Sequence, residues 1–154
     1  MKAIREFFAR YEQGANSFDP DLVCSQYTAE FMGGGPNGVV CGKNDENLRN
    51  AIAKRHSFFQ EIGFRSAKVL DVEETPLDEH YTMAKVYWHM VFEKEPGHPL
   101  DFKFYVTYFL FDPGSGPKVV FWISHDDEWK VMQEAGLIPA DGDAKRDRTI
   151  TKDR

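Results

Sequence analysis

The chain has 154 residues, of which 42% are hydrophobic, 14% aromatic and 29% charged, with a net charge of −6 at pH 7. That is the length of one domain, enough to bury a core without metal or disulfide staples. The acidic balance argues against non-specific nucleic-acid binding, and no apolar run approaches the roughly 18 residues of a membrane span. The N-terminus lacks the apolar stretch of a secretory signal. Cys24 and Cys41 match neither a metal spacing nor a disulfide scaffold, so a cytoplasmic protein without metal or cofactor is expected.

Ile4, Phe7, Phe8 and Tyr11 recur at helical spacing and predict a first helix over residues 2–13, stopped by Gly14 and Asn16. Asp19-Pro20 opens a short second helix, DLVCSQY, with Asp19 as cap and Pro20 where a missing N–H costs nothing. In EFMGGGPNGVVCGK the run GGGPNG reads as a turn between Glu30–Met32 and Val39–Cys41. A third helix is predicted from Asn44, with Leu48, Ile52, Phe59 and Ile62 inward and Gly63 at its end.

From residue 64 the period changes from about 3.6 to 2. FRSAKVLDVEET, YTMAKVYWHMVFEK, LDFKFYVTYFLFD and KVVFWISHD predict four strands, separated by PLDEH, EPGHP and PGSGP. A last helix, DDEWKVMQEAG, is capped by Asp126 or Asp127 and closed by Gly136 and Pro139. Residues 140–154 hold five basic and four acidic side chains and one large aliphatic, Ile150. They are expected to form a charged flexible tail beyond a domain of residues 1–139. Helices and strands are segregated rather than alternating, which predicts an α+β fold with a curved antiparallel sheet packed on the N-terminal helices.

The turns suggest a register. Leu110 opposite Val119 places Tyr108 opposite Phe121, Val106 opposite Ile123 and Phe104 opposite His125. Phe92 opposite Phe102 places Met90 opposite Phe104. One face then carries Val86, Trp88, Met90, Tyr108, Phe121, Ile123 and His125, and must be covered by helices. The other carries Tyr87, His89, Tyr105, Thr107 and Trp122, an aromatic surface of the kind that pairs subunits, so a homodimer through these residues is expected.

The element order, the EFMGGGPNGVVCGK hairpin leading into the Asn44 helix and the VVFWISHDDEW ending of the last strand resemble the nuclear transport factor two-like superfamily, also called SnoaL-like or polyketide cyclase-like. The resemblance covers residues 1 to about 138. It implies a cone of sheet and helices with a pocket at its open end, and subunits that commonly pair through the convex side of the sheet. The superfamily includes isomerases, dehydratases, cyclases, hydrolases and binding proteins, so the shared fold does not transfer a function. The carboxylate base of its ketosteroid isomerase-like members has no counterpart at the inward strand positions.

Three readings follow. The first is a protein that binds a small hydrophobic molecule, with Trp88, Met90, Tyr108 and Phe121 as apolar walls and His125 at the polar end. The second is a SnoaL-like enzyme of isomerase, cyclase or dehydratase type, using His125 with Tyr108 or a nearby carboxylate such as Asp126. The third is a dimeric interaction module without a ligand. Asp78, Glu79 and His80 are contiguous in a turn, a poor geometry for converging on one cation.

Overall fold

The computed structural model describes residues 2–139. The expected charged tail, residues 140–154, lies outside the described residues. Ten elements follow in order: α1 (Lys2–Ser17), α2 (Pro20–Cys24), β1 (Tyr27–Gly35), β2 (Gly38–Lys43), α3 (Glu46–Glu61), β3 (Phe64–Pro76), β4 (Tyr81–Glu95), β5 (His98–Phe111), β6 (Lys118–Ser124) and α4 (Glu128–Glu134). The strands make one sheet in the order β2-β1-β6-β5-β4-β3. The four long strands are antiparallel neighbours, as their turns predict. The small hairpin joins the same sheet through a parallel β1–β6 pair, so the sheet is mixed. It is curved and unclosed, and the helices pack on it to give the α+β cone.

The helix signals hold at α2, where Asp19 accepts from Asp21 N, and at α4, capped by Asp127; α3 begins at Glu46 rather than Asn44, with Asp45 as the cap that accepts from Asn47 N. α1 is longer than predicted. Gly14 does not stop it; a Cβ there would lie 3.1 Å from Val23 Cγ2, so the glycine admits α2 against the helix. The helix ends at Phe18, which adopts a left-handed backbone (φ 57°) and stacks on His56. Asn16 tends the sheet's edge: its amide bonds both the carbonyl and the N–H of Ala67, and Glu12 accepts from Val69 N. These bonds occupy backbone groups that the outermost strand, β3, would otherwise leave open.

Two register corrections matter for the site. Along β4 and β5, Phe92 pairs with Leu100 and Met90 with Phe102, two residues from the expected pairing. A tight turn at Pro96-Gly97, with Gly97 at φ 85°, pairs Glu95 with His98, and a register irregularity between Phe92 and Glu95 completes the shift. A shift of two conserves the faces. Between β5 and β6, Leu110 does pair with Val119, but Val120 is then an extra residue, and Phe109 pairs with Phe121 and Tyr108 with Trp122. This β-bulge exchanges the two faces for the rest of β6. Trp122 therefore turns inward, 1% exposed, instead of outward, and Phe121 turns outward to stack on Phe109.

Gly33 shows why the bulge is accommodated. It pairs with Trp122, and a Cβ on it would lie 2.5 Å from the indole Cζ2. The first three glycines of GGGPNG, Gly33–Gly35, are thus strand residues, and Gly33 lets the indole lie against the backbone. The turn itself is only Pro36-Asn37.

Candidate functional site

Inside the cone, aromatic rings from four strands and α1 converge. Tyr11 lies 5.2 Å from Tyr108 and 6.0 Å from Trp88, and Tyr27 lies 5.7 Å from Trp122, measured between ring centroids. The polar atoms of Tyr11, Tyr27, Trp88 and Tyr108 are paired: the Tyr11 and Tyr27 hydroxyls are hydrogen-bonded, and Trp88 Nε1 donates to the Tyr108 hydroxyl at 3.0 Å. Buried Tyr and Trp need such partners because a lost hydrogen bond is expensive away from water.

These rings, with Gln26, Ile52, Arg55, Phe59, Ala67 and Met90, wall a cavity of about 70 Å³. That is smaller than the roughly 150 Å³ at which an apolar cavity takes a benzene ring, yet it exceeds the roughly 10–15 Å³ that a single water requires. Among the cavity's lining residues Arg55 carries the one charge. It is 9% exposed, its guanidinium lies 4.1 Å from the Phe59 ring centroid, and it meets both carboxylate oxygens of Glu128 at 2.8 and 3.3 Å. The pair ties α3 to α4 and offsets the cost of burying the cation.

A second void, a cleft of about 380 Å³, opens where β5 outruns β6, whose last pairing is Ser124 with Val106. Phe92, Phe102, Phe104, Val131 and Met132 form its apolar side, and His125, Asp126 and Glu128 its polar side. Met90 lines both voids, and the Arg55–Glu128 pair spans them, with Arg55 on the cavity and Glu128 on the cleft.

The residues expected to share one pocket are therefore divided. Trp88, Met90 and Tyr108 line the inner cavity. His125 is exposed at the cleft, where its Nε2 lies 2.8 Å from the hydroxyl of Thr107. Thr107 and Tyr108 are successive strand residues and so point to opposite faces. His125 and Tyr108 therefore do not converge, and Asp126 accompanies His125 at the cleft. Phe121 is on the far face of the sheet.

That far face carries the stacked Tyr87–Tyr105 pair with Lys85 Nζ 4.5 Å from the Tyr105 ring centroid, and His89 3.0 Å from Asp101. Trp122 is absent from it. At the β3–β4 turn, Asp78 accepts from the N–H groups of His80 and Tyr81, which holds its carboxyl below the usual range. Among the described residues, no three His, Cys, Asp or Glu side chains converge as a metal site would require.

Sequence reasoning missed Arg55, Gln26, Tyr11 and Trp122 as site residues. Arg55 left a signal, for it falls on the inward stripe Leu48, Ile52, Phe59, Ile62 at helical spacing. Gln26 sits between α2 and β1 and left none.

Residues 2–127 match the family described as NTF2-like protein (DUF6841). The chain belongs to this family. No curated protein matches it. Among solved structures it is similar to an NTF2-like protein with a cystatin-like fold from Novosphingobium aromaticivorans (TM-score 0.67, 14% identity, covering 89% of this chain and 87% of that one). It is also similar to an NTF-2 like protein of unknown function from Shewanella oneidensis MR-1 (0.63, 16%, covering 81% and 98%). A third is the beta subunit of the benzoate 1,2-dioxygenase from Burkholderia mallei (0.63, 16%, covering 79% and 87%). At such identities these likenesses concern the NTF2-like fold alone. No helix among the described residues is long and apolar enough to cross a membrane.

Proposed function

We propose that this NTF2-like chain binds a small, mostly apolar molecule inside its cone. The supporting observation is the cavity walled by Tyr11, Tyr27, Trp88, Tyr108 and Trp122 among the buried residues of the core. Ligand sites are mostly apolar concavities with a few convergent polar groups. The volume sets the size class: small cyclic compounds fit with slight movement of the walls, and steroids do not. A thermal-shift panel of cyclic ketones, hydrophobic acids and steroids tests this. Stabilisation by the small cyclic compounds and none by the steroids is the expected result; stabilisation by steroids alone would contradict it.

The outer face favours a second feature, a homodimer. Tyr87, Tyr105, Phe109 and Phe121 form stacked pairs there, His89 and Thr107 lie among them, and Tyr105 is 37% exposed. An aromatic surface of this kind fits a second copy of the chain. Two unpaired cysteines fit a reducing compartment, and we place the protein in the cytoplasm on that ground.

A further inference from the structure

Two residues that line the cavity carry buried donors with no acceptor among the described residues: Gln26 at Nε2 and Trp122 at Nε1. Both residues are deeply buried, 4% and 1% exposed. Native interiors pair nearly all such groups, so two orphans on one cavity require an explanation. The neighbouring polar side chains are already engaged, the tyrosine hydroxyls and Trp88 with one another and Arg55 with Glu128.

We infer that Gln26 and Trp122 form a carbonyl-recognising subsite, and that the ligand is a small neutral cyclic ketone or related carbonyl compound. This rests on the cone interior being the ligand site. A carbonyl oxygen has two lone pairs and can accept from both donors while its ring meets the aromatic walls. Neutrality follows from charge. Arg55 is matched by Glu128, so a carboxylate entering the cavity would have to displace Glu128 or remain buried without a counter-charge. An apolar ligand without an acceptor would leave both donors unsatisfied.

The test compares three compounds of one shape: cyclopentanone, methylenecyclopentane and cyclopentanecarboxylate. Each is titrated against the intact chain, following the ¹⁵N–¹H resonance of the Trp122 indole, assigned by its loss in Trp122→Phe. The ketone is expected to bind about tenfold or more tighter than the hydrocarbon, the scale of one or two hydrogen bonds. It should also move the indole proton downfield. Gln26→Met, of similar shape but without the donor, should lower ketone affinity several-fold without lowering hydrocarbon affinity. Equal binding of ketone and hydrocarbon would overturn the carbonyl subsite while leaving the cone as a ligand site; it would mean that resident water satisfies the donors. Tighter binding of the carboxylate would overturn neutrality. If none of the three binds, the cone-interior reading fails and the subsite with it.

Discussion

Trp122 and Phe121 adjoin in sequence and face opposite sides of the sheet, so replacing each tests the bulge directly. Trp122→Ala should cost about 3–5 kcal/mol, the range for emptying a buried aromatic site. Phe121→Ala should cost about 0.5–2 kcal/mol, since it loses a stacked pair at a partly exposed position. Urea denaturation of both variants checks the order, and equal costs would contradict the register. The sequence could not reveal this exchange, because strict alternation through KVVFWIS reads equally well without the extra residue at Val120. The nearest clue was Gly33, whose missing side chain makes room for the indole. The cysteines give a second residue-scale expectation. Burial pushes the Cys24 thiol up, and Cys41 is exposed, so iodoacetamide should alkylate Cys41 first, as read by peptide mass. Faster labelling of Cys24 would mean that α2 opens readily.

Between elements, the join most open to test is the one that holds α4 to α3. Glu128→Gln leaves the Arg55 guanidinium buried beside a neutral partner. The cost should be about 1–3 kcal/mol, below that of a fully buried pair because the Glu128 side chain remains 32% exposed. Adding Arg55→Met should recover part of that loss, and a double-mutant cycle by denaturation measures the coupling. Zero coupling would show that the ion pair does not hold α4 to α3. Most elements were legible from sequence because caps, glycines and the change of period mark them: Asp19-Pro20, Asp127 as one of two cap candidates, and the four alternating strands emerge as read, while the third helix starts two residues after Asn44. The length of α1 was not legible, because Gly14 serves packing against Val23 rather than termination. The parallel β1–β6 pair was not legible either, since local patterns do not say which distant strand a hairpin will join.

At the scale of the molecule, the outer face and the interior make separate expectations. Light scattering of the wild type at micromolar concentration should give twice the monomer mass, and Tyr105→Glu with Phe109→Glu should give the monomer. A wild-type monomer would contradict the dimer. Trp122 is the wrong target for this test, because a charge there would enter the core rather than an interface. Which face is apolar was readable from β4 and β5. The division of the expected site between an inner cavity and an outer cleft was not, since it depends on where β6 stops relative to β5 and on α4 closing over the open edge. Ala67 offers the most direct test of ligand binding in the cone. It is buried in the cavity wall, and its backbone is already held by Asn16. Ala67→Leu should fill the cavity with the fold retained by circular dichroism. Calorimetric titration with the best compound of the thermal-shift panel should then show binding to the wild type and none to the filled variant, whereas undiminished binding to a folded Ala67→Leu protein would contradict a site inside the cone.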